Sequence, residues 1–225
     1  IGVTMNKSQL TNFINKYTLG GEIKSTKWVS NGDSLTTRFI SGDKSVVGRV
    51  VLSKFKHLEP CELGVYNTAQ LGSLLSVLGD DVDIKLSRAG DKFISMELED
   101  TKRKTKSKYM LSDLSVIPTP PELKNLPDSF ELGIKVDAHF INTFISGKGA
   151  LAEAETFTIL TDNDKAVIVI GYASIASNRV TIPVETTQYK MMEPISFNAN
   201  MFASILNANK DCESATLEVL SLIHI

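Results

Sequence analysis

The strongest constraint on the fold is an internal repeat. Asn6 can cap a helix whose apolar stripe is Leu10, Phe13, Ile14 and Tyr17. At a distance of 131 residues, Asp137 stands before Ile141, Phe144 and Ile145 in the same relation. The same offset takes Asn31-Gly32, a turn between two β-like runs, to Asp162-Asn163. It also takes Tyr66-Asn67 and Gly72-Ser-Leu-Leu75 to Phe197-Asn198 and Ala203-Ser-Ile-Leu206. Two caps, one hairpin turn and two helices share one register, so the chain reads as a tandem duplication.

Each copy is expected to run helix, β-meander, helix, β-meander, an α+β arrangement. The first copy has helix 7–18, strands near 22–30, 33–41, 45–53 and 61–66, helix 68–78, and strands near 82–88, 92–99 and 102–110. The second has helix 138–148, strands near 155–161, 165–171, 178–184 and 194–198, helix 199–207, and a strand near 214–221. Helices of about three turns are marginal alone and must pack on the sheets. Between the copies lies Ile117-Pro-Thr-Pro-Pro-Glu-Leu-Lys-Asn-Leu-Pro127, whose prolines exclude helix and central strand. The expected domains are therefore 5–116 and 128–225, joined by a connector at 117–127. Residues 1–4 read as read-through ahead of a start at Met5. Counterparts of strands 92–99 and 102–110 would fall near 223–230 and 233–241, beyond Ile225, so a C-terminal hairpin is expected to be missing. A chain carrying that hairpin is expected to be more stable.

No catalytic constellation stands out, and the expectation is a protein that is not an enzyme and holds no cofactor. His57, His139 and His224 have no carboxylate or cysteine at ligand spacing. Gly42-Asp-Lys-Ser-Val-Val-Gly-Arg49 lacks the ending of a phosphate loop and reads as a hairpin turn. Gly147-Lys-Gly149 follows a helix and reads as its C-cap. Cys61 and Cys212 are too few for a disulfide scaffold. No apolar run approaches the ~20 residues of a membrane span, and the expected setting is a reducing cytoplasm.

The informative feature is an absence. The four expected helices contain no Asp or Glu in their 43 positions, where about five would be expected at the chain's own frequency of 26 acids in 225 residues. Opposite the first apolar stripe lie Ser8, Thr11, Asn12 and Asn15, flanked by Lys16. The matching faces are Ala69, Gly72, Ser73 and Ser76; His139, Asn142, Thr143 and Ser146; and Asn200, Ala203, Ser204 and Asn207. Lys7, Lys16, Lys148 and Lys210 stand at helix ends or just beyond. Helices buried on both faces would also exclude charge, but small polar residues recur on the second face of all four. A neutral-to-basic wall suits a surface that faces duplex DNA without gripping it. The DNA-facing candidates are Lys7, Asn12, Lys16 and Ser73 in the first copy. In the second they are His139, Asn142, Lys148, Ser204, Asn207 and Lys210.

Charge is divided along the chain. Residues 1–117 hold 17 Lys and Arg against 13 Asp and Glu, a net +4, and residues 118–225 hold 7 against 13, a net −6. Thr101-Lys-Arg-Lys-Thr-Lys-Ser-Lys108 reads as a Lys-rich edge strand with Lys102, Lys104, Lys106 and Lys108 on one face. Head-to-tail association would bring the opposite charges together, and such contacts close into a ring if the rotation permits.

These residues resemble a DNA sliding clamp of the trimeric bacteriophage kind. The closest stretch is Glu62-Leu-Gly-Val-Tyr-Asn-Thr-Ala-Gln-Leu-Gly-Ser-Leu-Leu-Ser-Val-Leu-Gly-Asp-Asp-Val-Asp-Ile84, which is similar to that family's strand, helix, acidic turn and next strand. Phe130 to Ile145 and Phe197-Asn-Ala-Asn-Met201 follow in the family's order. The resemblance implies two similarly folded domains per subunit, sheets outside and helices lining a central hole. It implies a homotrimer around double-stranded DNA in the host cytoplasm of an infected bacterium, with a replicative DNA polymerase tethered to it. An ATP-dependent clamp loader would open the ring. By the same resemblance, strand 103–110 of one subunit pairs with strand 178–184 of the next, giving Lys104, Lys106, Lys108, Tyr109, Arg179 and Thr181 to the subunit interface. Leu114, Ile117 and Pro118 would border a pocket for client peptides. A phage structural or assembly protein built from a duplicated β-rich domain is the alternative.

Overall fold

The computed structural model describes residues 4–122, 126–173, 175 and 177–220. The chain divides into two compact units, Ile1–Glu122 and Leu123–Ile225, within the proline-rich stretch. The described residues form an α+β protein of four antiparallel sheets and four helices. Ile1 to Val3, Leu123 to Asn125 of the connector, Ser221 at the end of the last expected strand and His224 lie outside the described residues.

The first unit opens with β1 (Met5–Asn6) and α1 (Lys7–Thr18). The Asn6 side chain accepts from the Ser8 amide, a cap worth about 0.5–2 kcal/mol. Leu10, Phe13, Ile14 and Tyr17 are buried as their spacing demands. A 3-10 turn at Leu19–Gly21 follows, with Gly21 at φ +101°, which favours glycine. That turn delays the next strand, expected from residue 22, to β2 (Thr26–Ser30). Next come β3 (Ser34–Ile40), β4 (Val47–Ser53) and β5 (Cys61–Val65), which form a sheet in the order β4-β3-β2-β5. Thr26, Trp28 and Ser30 alternate inward with Leu35, Thr37 and Phe39. In the β2–β3 turn the Asn31 carboxamide accepts from the Asp33 and Ser34 amides, as an Asx turn does.

Helix α2 (Thr68–Ser76) is capped by Asn67, whose side chain accepts from the Gln70 amide. It leads to β6 (Asp81–Ala89), β7 (Lys92–Asp100) and β8 (Lys106–Met110), in a sheet of order β1-β6-β7-β8. The expected strand 102–110 starts only at Lys106. The reason is Asp100: its buried carboxylate accepts from the amides of Gly79, Lys102 and Arg103, which curls residues 101–103 into a turn.

The second unit contains β9 (Leu132–Val136), α3 (Ala138–Ala150), β10 (Thr156–Asp162), β11 (Lys165–Ile170), β12 (Val180–Pro183), β13 (Thr186–Gln188), β14 (Ile195–Asn198), α4 (Ala199–Ala208) and β15 (Ala215–Val219). Its sheets run β12-β11-β10-β14 and β13-β9-β15. The first of these repeats the order β4-β3-β2-β5, and β9-β15 repeats the pairing β1-β6. Helices begin 131 residues apart, at Lys7 and Ala138 and at Thr68 and Ala199. Strand β9 is absent from the sequence reading, although buried Leu132, Ile134 and Val136 alternate as a strand requires. The hairpin turn falls at Asn163-Asp164, 131 residues after the bend at Gly32-Asp33 and one residue later than the expected Asp162-Asn163, with Asn163 at φ +53°. Gly147 is no C-cap. Helix α3 continues to Ala150, and a Cβ at Gly147 would stand 3.1 Å from Ile170 Cδ1 and Val180 Cγ1.

Each unit has its own interior. In the first, Phe13, Tyr17 and Trp28 meet edge to face, with ring centroids 5.3–6.5 Å apart. The Trp28 indole donates to the Tyr17 hydroxyl at 3.2 Å, and that hydroxyl is 2.8 Å from Thr68 Oγ1 at the start of α2. In the second, Phe144 lies against Phe140, Phe157 and Phe202, and Ile134, Ile159, Ile168 and Ile170 complete the core.

Candidate nucleic-acid interface

All four helices have amide or carboxylate caps. Asn6, Asn67 and Asn198 are neutral, and Asp137 is the single acid. None has an acidic residue in its first turn, where the helix dipole would favour one. The second faces point to solvent. Ser8, Thr11, Asn12 and Asn15 of α1 are exposed, as are Ala69, Ser73 and Ser76 of α2. His139, Asn142 and Ser146 of α3 and Asn200 and Asn207 of α4 are exposed too, while Ser204 is half-buried. Burial on both sides therefore does not account for the missing acids.

Several hydroxyls on these faces bond their own helix. Thr11 Oγ1 donates to Lys7 O, Ser73 Oγ to Ala69 O, Ser76 Oγ to Ser73 O and Thr143 Oγ1 to His139 O. The carboxamides of Asn12, Asn15, Asn142, Asn200 and Asn207 and the His139 imidazole are left facing water. A wall of this kind has little to repel a polyanion and few charges to hold one.

The lysines behave differently from one another. Lys210 is exposed beyond α4, and Lys16 is half-buried in the last turn of α1. Lys7 is half-buried, and its Nζ donates to Leu78 O at 2.6 Å, just past the end of α2. Lys148 is not a DNA-facing residue. It is 8% exposed, and its ammonium turns inward to Ala152 O at 2.7 Å and Leu151 O at 3.4 Å. It satisfies carbonyls at the end of α3, which a cation at a helix C-terminus does well.

The expected interface strands are both sheet edges. β8 pairs only with β7, and β12 only with β11, among the described residues. On β8, Lys106 and Lys108 face outward opposite Glu99 and Glu97, and Lys106 Nζ lies 3.4 Å from Glu99 and 3.6 Å from Glu97. Those carboxylates raise the pKa of Lys106, Glu99 first as a hydrogen-bond partner. Lys104 sits in the turn before the strand at φ +60°, 3.7 Å from Glu99. Tyr109 is a correction. It points inward, 4% exposed, and its hydroxyl bonds the amide and carbonyl of Asn67. Burial raises its pKa. Its place is therefore between β8 and α2, not on the outer side of the edge. On the other edge Thr181 and Arg179 are exposed, with the Arg179 guanidinium 5.6 Å from the Tyr172 ring.

The residues expected around a client pocket do not line a cavity together among the described residues. Ile117 is buried in the first unit at 5% exposure, Leu114 is half-buried and Pro118 is exposed. None of the three lines the cavity of about 520 Å³ that opens beside β8. Its walls are Tyr66, Asn67, Gln70 and Leu74, then Lys108 to Ser112, and Val116. Tyr66, Met110 and Val116 are largely exposed there, an apolar rim that sequence alone did not single out. Alternation along β8 carried the signal, since Lys108 and Met110 share the face opposite Tyr109.

Among the described residues no three His, Cys, Asp or Glu side chains gather as a metal site, and no helix is long and apolar enough to cross a membrane. No protein-family model matches the chain, and no curated protein matches it either.

Proposed function

We propose that the chain is a processivity factor of DNA replication, a sliding clamp of the trimeric bacteriophage kind acting in the cytoplasm of an infected bacterium. It would be a duplicated clamp domain, with the helices of three subunits lining a hole around duplex DNA. Binding is topological and involves no chemistry. The replicative polymerase is held on the outside, and an ATP-dependent loader opens the ring. The observation that carries this reading is the solvent-facing side of four separate helices, built of small and polar residues without one acid. Two further features support it. The sheets β4-β3-β2-β5 and β12-β11-β10-β14 repeat one order, and β8 and β12 each stand at the edge of a sheet, where a strand of another copy can pair.

The test is retention on nicked circular duplex, after incubation at high protein concentration and gel filtration in moderate salt. Protein that stays on circles and leaves when they are linearised supports a topological link. Asn12→Glu with Asn142→Glu should shorten retention without altering the fold, because both sites are exposed. Equal binding to both templates with a steep loss in salt would mark simple electrostatic binding instead.

A further inference from the structure

The outward face of β4-β3-β2-β5 carries an unusual row of charge. Strand register sets Lys27 opposite Arg38, and Arg38 opposite Arg49. Three cations therefore stand side by side on adjacent strands, across about 10 Å at the usual strand spacing. Like charges in such positions destabilise a sheet. Compensation is partial. Lys27 is 3.6 Å from Glu62, and Arg38 donates only to main-chain carbonyls, those of Pro120 at 3.0 Å and Pro121. Arg49 is exposed and has no hydrogen-bond or ion-pair partner among the described residues.

The fold does not require this row. In the matching sheet of the second unit, register brings Thr158, Val169 and Thr181 to the same places. There Thr158 and Val169 are buried and Thr158 bonds Ser196. The neighbouring rows in the first unit carry valines and an isoleucine. Ile40 lies opposite Val47 on one side, and on the other Thr36 lies between Val29 and Val51, which are 38% and 46% exposed, with Glu62 beyond Val29 on β5.

We propose that this face binds an acidic peptide segment of a protein partner, its carboxylates on the Lys27-Arg38-Arg49 row and its apolar side chains on the valines. This site uses none of the residues of the helix faces or of β8 and β12, and does not depend on the ring reading. A carboxylate is a stronger acceptor for a guanidinium than the two proline carbonyls that Arg38 now meets. The partner is a peptide in preference to a nucleic acid because the cations form one short row, with exposed valines and the Glu62 carboxylate in the next. A phosphate backbone would call for cations repeated along its length. An unpaired Arg49 facing another arginine is the kind of local cost that binding surfaces carry.

The experiment uses the full chain and fluorescence anisotropy. The probes are a labelled peptide in which Glu alternates with Leu, its counterpart with Gln for Glu, and a duplex oligonucleotide. The Glu peptide is expected to bind in low salt, and the Gln peptide not to. Arg49→Gln should weaken the Glu peptide about threefold, and Arg38→Gln/Arg49→Gln about tenfold. Lys165→Gln on β11 should change nothing. Arg38 also holds the connector, so the Arg49→Gln variant keeps the test clear of folding. Its Trp28 unfolding midpoint should stay or rise, because a like-charge neighbour is gone. Failure of the Glu peptide to bind, equal binding of the Gln peptide, or indifference to both arginine changes would overturn the proposal. So would a duplex weakened by Arg49→Gln as much as the peptide, which would make the face a nucleic-acid site.

Discussion

In the first unit α1 and α2 are joined by Tyr17 and Thr68, a buried pair of hydroxyls that also satisfies the Trp28 indole. At the same places in the second unit, 131 residues on, stand Lys148 and Ala199. Both members of the polar pair have changed together. The hydroxyl that would have lost its partner is gone, and the ammonium in its place turns to the carbonyls of Leu151 and Ala152. Packing between α3 and α4 comes instead from Phe140, Phe144 and Phe202. One backbone plan is closed in two ways, by a polar lock in one unit and by edge-to-face phenylalanines in the other. Buried polar groups can be exchanged for apolar ones when all partners change, and are costly to strand singly.

The largest effect should come from Phe144→Ala, which removes the ring at the centre of the second interior and should cost about 3–5 kcal/mol. Trp28, the sole tryptophan, lies in the first unit and reports on it alone. Amide exchange of the second unit should accelerate while the Trp28 transition stays in place. An equal shift of both would break the picture of two separate interiors.

Next in size is Tyr17→Phe, which strands Thr68 Oγ1 and the Trp28 indole and should cost about 1–3 kcal/mol by denaturant unfolding. Adding Thr68→Val should restore part of that loss, a coupling that a double-mutant cycle reads directly. Lys148→Met should change second-unit stability by about 0.5–1.5 kcal/mol and leave DNA retention as it was. A large loss of retention would return Lys148 to the DNA-facing set.

The smallest effect concerns pH. Backbone amides lower the Asp100 pKa, that of Arg103 first and then Gly79. The Ser41 hydroxyl first, and then Ser45, bring Asp43 down to about 2. Lys92 is the main cause of the depression at Asp113. A carboxylate depressed in the folded state adds stability above its unfolded value, and that stability fades as pH falls through the folded one. The Trp28 midpoint should therefore drop as pH is lowered below about 4, and less so in Asp100→Asn, which has already lost that contribution.

Much of this architecture was legible beforehand because its signals are local. The caps Asn6 and Asp137 and the stripe from Leu10 to Tyr17 mark helices within a few residues, and the repeat doubled each signal. What escaped depends on distant partners. The Lys102–Lys104 segment looks like strand until Asp100 gathers its amides. Lys148 occupies a helix end where exposure is the usual outcome, and only the path of the chain through Leu151 and Ala152 buries it. The row Lys27-Arg38-Arg49 exists through register, which no spacing along the sequence displays.

The most direct test of the ring is molar mass by light scattering at micromolar concentration. A closed ring built through β8 and β12 should weigh near three times the 24.6 kDa of one chain. Arg179→Glu just before β12 with Thr181→Pro on it should return it to monomer, because one change reverses a charge at the edge and the other bars strand pairing. A monomer at every concentration would contradict the clamp.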